Sequence, residues 1–354
     1  MRVLVTGGCG FIGSAVMRHA IRRTRHEVVN LDKLTYAATP EALEEAADHP
    51  RYCFERADIC DPERLQTIFE RHRPTAVIHL AAESHVDRSI DGPADFVRTN
   101  VFGTFTLLQA ARAHFESLKQ PERAQFRFLQ VSTDEVFGSL GLNDPPFTEA
   151  SRYRPNSPYS ASKAASDHFV SAWGHTYGLP VVTSNCSNNY GPWQFPEKLI
   201  PLMLIRARTD KPLPLYGRGE NIRDWLHVDD HAAALWTILE RGRVGEHYLI
   251  GGNAEHSNRQ VVHWICEAMD ERIPASAPHT RLIQHVEDRP GHDLRYAIDA
   301  AKMIAELGWA PSRNFRSGLN ETIDWYLHHE TWWRGVNARI YGGQRLGIVE
   351  RLAS

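Results

Sequence analysis

Short apolar runs alternate with longer amphipathic stretches through the first half of the chain. Arg2-Val-Leu-Val-Thr6 has strand length, and the SAVMRHAIRR that follows its glycine-rich turn spaces apolar residues as a helix does. A second strand is read from His26 to Leu31, ending in Asp32, and others near 51–56, over Thr75 to Leu80, and in the apolar part of 126–137. A long helix is predicted from about Pro93 to His114, with Phe96, Val101, Phe105 and Leu108 at helical spacing. Residues 116–125 read as a solvated connection. This β-α-β-α order predicts a parallel sheet covered by helices. After a strand near Val181–Ser184 the alternation gives way to proline- and glycine-rich connections. Lys211-Pro-Leu-Pro-Leu-Tyr-Gly-Arg-Gly cannot be a long helix and reads as a loop with a short strand. His227-Val-Asp-Asp230 and the helix after it return to the main sheet.

Composition changes the picture mainly by exclusion. A chain of 354 residues can bury one large core or two. A net charge of −3, with both signs interspersed, offers no nucleic-acid surface. Met1-Arg2-Val3 leads directly into a strand, so no signal peptide is expected, and no apolar run has membrane-spanning length. The cysteines (Cys9, Cys53, Cys60, Cys186, Cys266) form no C-x-x-C and no zinc spacing, so no metal site is expected. Scattered thiols in odd number suit a reducing, cytoplasmic location. The histidines are dispersed, and His328-His329 read as surface residues.

Candidate chemistry lies at two places. The first is Gly7-Gly-Cys-Gly10-Phe11-Ile12-Gly13, between a strand and a helix. Its glycines allow a tight turn and let the backbone approach a pyrophosphate resting on the helix N-terminus. The spacing is G-x-x-G-x-x-G rather than G-x-G-x-x-G, but the strand before it and the helix after it are both in place. Asp32 stands where an acid meets the adenosine ribose hydroxyls and repels a 2′-phosphate, so NAD is favoured over NADP, with Lys33 the dissenting neighbour. Asp58-Ile59 could flank the adenine, and the small residues of Ala81-Ala82-Glu83-Ser84 let backbone pass close to the cofactor. The fold expected is therefore α/β: a doubly wound parallel Rossmann sheet over residues 1–185, rejoined by 223–245. A smaller, mostly C-terminal α/β substrate domain occupies 186–354.

The second place runs from Ser132 to Lys163. An apolar strand ending in Ser132, Thr133, Asp134 and Glu135 brings hydroxyl and carboxyl groups to the carboxyl edge of the sheet, where ligands bind in such folds. Tyr159 and Lys163 are four apart and share a helix face. An ammonium beside a phenol is expected to lower the tyrosine pKa and make Tyr159 a general base. Either signal is weak alone, since Tyr-x-x-x-Lys and acidic pairs are common on solvated surfaces. Their conjunction with the glycine fingerprint gives them weight. In the second half, Lys198, Arg223, Arg289 and His292 are cations suited to a nucleoside diphosphate. Taken alone, they are more often ordinary surface charges.

The glycine fingerprint, Asp32 and Tyr159-x-x-x-Lys163 resemble the extended short-chain dehydrogenase/reductases. Within them, Thr133-Asp134-Glu135-Val-Phe-Gly138, Asn185-Cys-Ser-Asn188-Asn189-Tyr-Gly-Pro192, Phe195-Pro-Glu-Lys198-Leu199-Ile-Pro201, Arg223-Asp-Trp-Leu-His-Val-Asp229 and Arg289-Pro-Gly-His292-Asp293 are similar to the nucleotide-sugar 4,6-dehydratases. Tyr341-x-Gly-x-Arg345-Leu-Gly347 extends the likeness, while Phe137 and Trp193 stand where tyrosine is expected. The resemblance implies NAD held also by Thr35, Leu80, Thr99 and Asn189. It implies a nucleoside diphosphate glucose, with dTDP-glucose expected ahead of its UDP or CDP counterparts. Asn188, Leu199, Pro214, Leu215, Tyr216, Asn258, Asp288 and Tyr296 would surround the nucleotide, and Ser84 the sugar. In the implied reaction Thr133 binds the sugar O4 and Tyr159, assisted by Lys163, takes the 4-hydroxyl proton. Glu135 removes the C5 hydrogen and Asp134 protonates the departing 6-hydroxyl. A homodimer paired through the helices near 93–114 and 158–177 is also implied. The rival readings are a nucleotide-sugar 4-epimerase, which lacks the acid pair, a plain dehydrogenase, and a non-catalytic NAD-sensing protein on the same fold. The tryptophans at 325, 332 and 333 read as packing or subunit contact.

Overall fold

The computed structural model describes residues 1–339; the Tyr341–Gly347 motif lies outside them. The strand β1 (Arg2–Thr6) is the axis of the chain. It pairs in parallel with β2 (Glu27–Asp32) on one side and β4 (Ala76–His79) on the other. Adding β3 (Tyr52–Arg56), β5 (Arg127–Thr133), β6 (Val181–Cys186) and β10 (His247–Ile250) gives seven strands in the order β10-β6-β5-β4-β1-β2-β3. Every pairing is parallel. Both faces are covered, as a parallel sheet requires. Val3 and Val5 of β1 point to a core shared with the helices Phe11–Arg23 and Val228–Arg241, and Leu4 points to the opposite core with Pro62–His72, Thr104–Ser117 and Pro158–Tyr177. Trp236 ties the first two helices by donating from Nε1 to Val16 O at 3.0 Å.

The remaining elements build a second layer. β7 (Asn188–Tyr190), β9 (Ile222–His227) and β11 (Glu255–Ser257) form a small mixed sheet. β8 (Leu213–Tyr216) pairs in parallel with β12 (Ile283–Val286). Helices Leu199–Arg208, Asn258–Arg272 and Phe315–His328 close a separate core. The segment that rejoins the large sheet runs from 228 to 250, not over 223–245. Residues 222–227 instead hydrogen-bond to β7 and β11, and His247–Ile250 supplies the seventh strand.

The predicted long helix is real but not uniform. Val97–Gly103 is a π-helical stretch between Pro93–Phe96 and Thr104–Ser117. The extra residue per turn rotates the following face, and Thr99 lies in the cleft described below. The connection after it holds a short helix, Glu122–Gln125, with no buried residue. Trp193 packs against Trp325 and Trp332, with ring centroids at 4.7 and 5.2 Å, and Trp333 donates to Tyr326 O at 2.9 Å, so these tryptophans are packing residues. His328 is exposed and bonded to its own helix, whereas His329 stacks on Trp325 at 4.1 Å. No helix among the described residues is long and apolar enough to cross a membrane.

Candidate active site

The order of the sheet reverses at β1 and β4, and a cleft of about 310 Å³ opens at their carboxyl ends. Gly7 makes the reversal tight: its φ is +73°, and a Cβ there would sit 2.8 Å from Ala81 N. The helix Phe11–Arg23 then starts from Gly10 with no capping side chain and no acid in its first turn. Its N-terminal N–H groups and positive dipole end are thus left for an anion, which fits a pyrophosphate. At the end of β2, Asp32 accepts hydrogen bonds from Cys9 N (2.9 Å) and Leu34 N (2.8 Å), which fixes its carboxylate toward the same cleft. Gly13, Lys33, Thr35, Ile59, Leu80, Ala81, Ala82, Thr99 and Asn189 line it too. Asp58 does not. Its carboxylate turns to Cys60 N at 2.9 Å and to Lys33 Nζ at 3.6 Å, leaving Ala57 and Ile59 as the lining residues. The Lys33 charge is therefore partnered by an acid beside it.

Thr133, Asp134, Glu135, Tyr159 and Lys163 meet on the opposite wall of this cleft. β5 ends at Thr133, whose Oγ1 accepts from Glu135 N at 3.3 Å and starts a 3₁₀ turn over Asp134–Phe137. That turn folds both carboxyl groups back over the sheet edge, and Gly138, at φ +87°, lets the chain leave past Arg154 O. The helix Pro158–Tyr177 is set by a capping box of Ser157 and Ser160, by Pro158 in its first turn, and by Gly178 in the left-handed conformation at its end. Tyr159 and Lys163 share its buried face.

Burial and charge separate the two acids. Burial pushes Asp134 well above the usual carboxylate range, and the Glu135 and Asp224 carboxylates push it further. Burial also raises Glu135, but Arg289, Lys198 and Arg223 oppose the rise. Adjacent carboxyl groups held apart in this way suit one to be an acid and the other a base. The expected depression of Tyr159 by Lys163 is not found. Burial, Glu135, Cys186 and Asp134 all raise the phenol, and only a hydrogen bond with Thr133 opposes them. The Lys163 ammonium instead donates to Val131 O at 2.8 Å, is pulled down by burial, and is supported by Asp167.

Of the predicted nucleotide residues, Ser84, Asn188 and Lys198 line the cleft, and Lys198 Nζ donates to Ser84 O at 3.1 Å. Leu199 opens the next helix. A second group lies beyond them. Arg289 pairs with Asp87 at 3.1 Å, Tyr216 donates to the same carboxylate at 3.2 Å, and His292 bonds to Asp288 at 2.6 Å and meets the Tyr216 ring. Burial and the Arg289 and Arg223 charges push His292 down to about 4, so it is neutral at neutral pH. Arg223 is not the surface cation expected. It is buried under the Tyr296 ring, 4.4 Å away, and donates to Asp293 O and Ile222 O. Leu215 is buried in the second core and Pro214 is its half-buried neighbour in β8. Asp134 Oδ2, Asn188 Oδ1, Asn258 Oδ1 and Arg289 Nε are buried without a hydrogen-bond partner among the described residues. Buried polar groups are seldom left so, and four among residues assigned to one site is the mark of a polar ligand.

Sequence reasoning missed Asp87, Glu197 and Asp167. Glu197 lines the cleft, accepts from Tyr36 at 3.2 Å and lies 3.9 Å from His85. Only Asp167 carried a signal, since it stands four residues after Lys163 on the same helix face.

Comparison with known proteins places this arrangement. The family model described as GDP-mannose 4,6 dehydratase matches residues 4–322. A protein of Neisseria meningitidis serogroup B named dTDP-glucose 4,6-dehydratase is 56% identical over 350 residues, covering 98% of this chain and 99% of its own. Among solved structures, the dTDP-glucose 4,6-dehydratase of Streptomyces venezuelae with NAD and TYD bound aligns with a TM-score of 0.87 at 42% identity, over 95% of this chain and 100% of that one. The UDP-glucose 4-epimerase of Thermus thermophilus, in complex with NAD, has a TM-score of 0.82 at 31% identity, over 93% and 100%.

Proposed function

This chain belongs to the nucleotide-sugar 4,6-dehydratases, and from its likeness to the dTDP-glucose enzymes we propose that it converts dTDP-glucose to dTDP-4-keto-6-deoxyglucose and water. It is an NAD-dependent lyase. The observation that carries the reading is the carboxyl pair Asp134–Glu135, turned over the sheet edge beside Tyr159 with its two members held in different protonation states. An epimerase shares the fold but has no step that needs such a pair.

NAD, when bound, accepts the C4 hydride and later returns it at C6. The rest of the work falls to the chain. Gly7, Gly10 and the N-terminus of Phe11–Arg23 hold the pyrophosphate, and Asp32 the adenosine ribose. Lys198, Arg223 and Arg289 supply positive charge near the diphosphate. Thr133 donates a hydrogen bond to the sugar O4, and Tyr159 takes the 4-hydroxyl proton. The phenol is raised in the ligand-free cleft, so its ionisation depends on the positive charge that oxidised NAD brings. The ketone formed at C4 acidifies the C5 hydrogen, which Glu135 removes. Asp134, protonated because it is buried beside another carboxylate, delivers a proton to the leaving 6-hydroxyl. We assign residues 1–185 with 228–250 to the cofactor and most of the remainder to the sugar nucleotide. The product is an intermediate suited to deoxysugar synthesis. Initial rates on dTDP-, UDP- and CDP-glucose test the substrate. The expected order puts dTDP-glucose first, and an equal rate on UDP-glucose would overturn the nucleotide assignment.

Assembly belongs to the same reading. Val97, Phe102, Phe169 and Tyr177 are exposed on the helical segments 93–117 and 158–177, although Phe105 and Trp173 beside them are covered. A homodimer burying these side chains is the expected state. Light scattering at micromolar concentration would read twice the chain mass, and a monomeric mass would contradict it.

A further inference from the structure

The proposed reaction does not return its own protons. Breaking the 4-O–H bond leaves its electron pair to form the C4 carbonyl while the C4 hydrogen departs as hydride. That step puts a proton on Tyr159. Loss of the 6-hydroxyl as water takes a proton from Asp134, and the proton that Glu135 takes from C5 is replaced there at the end. Each turnover thus leaves Tyr159 one proton over and Asp134 one short, and both side chains are buried.

A second cavity, about 660 Å³, lies on the far side of β5 from the reacting groups. The exposed residues Ser171, His175 and Gly178 on its rim open it to solvent. Its floor includes Tyr153 and the buried carboxylate of Asp167. Asp167 accepts three hydrogen bonds: from Gln130 Nε2 (3.1 Å), from Tyr153 OH (3.1 Å), and from Ser132 Oγ (2.6 Å). Ser132 itself lines the catalytic cleft with Tyr159 and Lys163. A single short hydrogen bond therefore joins the two cavities, with the donor in one and the acceptor in the other. A hydroxyl that donates to a carboxylate can accept a proton from the cleft as it passes its own to the acid.

Resting on the reading that Tyr159 is the base, we propose that Ser132 and Asp167 form a proton exit, carrying the proton taken from the sugar out of the cleft to solvent in the second cavity. The proton moves from the phenol toward Ser132 Oγ, the hydroxyl proton of Ser132 moves to Asp167 Oδ2, and Asp167 releases it to water. No electrons are exchanged, and the carboxylate and hydroxyl end each cycle as they began. Asp167 touches no sugar atom in this scheme and is a positioning and relay residue.

The test uses NAD-loaded Glu135→Gln protein, in which oxidation is expected without elimination. It is mixed with dTDP-glucose in weakly buffered solution containing a pH indicator. NADH absorbance reports the oxidation, and the dye reports the proton. The expected result is a proton released for each NADH formed, at the same rate. Adding Asp167→Asn or Ser132→Ala should slow the release by about 10²-fold, the lower end of what a placed acid–base group contributes. Tyr153→Phe, which removes a bond to the same carboxylate without interrupting the path, should leave release and oxidation together. In Asp167→Ala, formate entering the cavity should restore the release, which a purely structural role of Asp167 would not allow. Release that stays synchronous with NADH in both relay variants would overturn the exit. So would the absence of any released proton in the parent, which would mean an internal return through Thr133 to Asp134. If NADH fails to form in the parent, the mechanistic reading fails first, and the exit falls with it.

Discussion

Tyr159→Phe should abolish both oxidation and loss of water, with no NADH signal when the NAD-loaded protein meets dTDP-glucose. The phenol is the group on the cleft wall placed to take the 4-hydroxyl proton, and without the ketone the C5 hydrogen is not acidic enough to remove. Glu135→Gln and Asp134→Asn should behave differently. Both leave Tyr159 in place, and removing either carboxylate lifts a charge that raises the phenol. Oxidation should therefore persist while elimination slows, and turnover should fall by about 10²–10⁴-fold, the usual contribution of a general acid or base. Stopped-flow absorbance of the bound cofactor separates the cases. The Tyr159 variant stays flat, and the two acid variants accumulate NADH that decays slowly. Dehydration at the parental rate in the Glu135 variant would show that another group is the base.

Much of this site was legible before any coordinates. A glycine turn between strand and helix can be read because its conformational demand is local: Gly7 needs positive φ, and the helix after it needs no capping side chain if an anion is to sit there. The partition of the chain was readable for the same reason, since strand runs and helix periodicities are short-range patterns. What escaped depends on distances through space. Nothing in the periodicity of 93–114 marks the π-helical turn at Val97–Gly103, because its apolar positions serve either helix type. Asp87 and Arg289 pair across 202 positions. Arg223 looked like a surface cation because burial of a guanidinium under Tyr296 depends on where β9 lies.

The Tyr159 error is the instructive one. A lysine four residues on suggested a lowered phenol, but sequence spacing does not say where the ammonium points or which carboxylates come closer. Here Lys163 reaches back to Val131 O, and the acid pair dominates the phenol. The consequence is functional: Tyr159 stays protonated until a positively charged cofactor and the substrate are both present.

The account's central claim is that one hydride leaves C4 and returns at C6 of the same sugar, with elimination between the two events. It is tested most directly with dTDP-glucose carrying deuterium at C4, converted in ordinary water alongside an unlabelled sample converted in heavy water, both products being analysed by NMR. The labelled sugar should give product with its deuterium at C6, and conversion of a mixture of labelled and unlabelled sugars should show no crossover between molecules. The heavy-water product should carry solvent deuterium at C5, because the proton held by Glu135 exchanges before it is replaced. Deuterium lost from C4 to free cofactor would mean a simple dehydrogenase, and deuterium returned to C4 would mean an epimerase; either result would contradict the account.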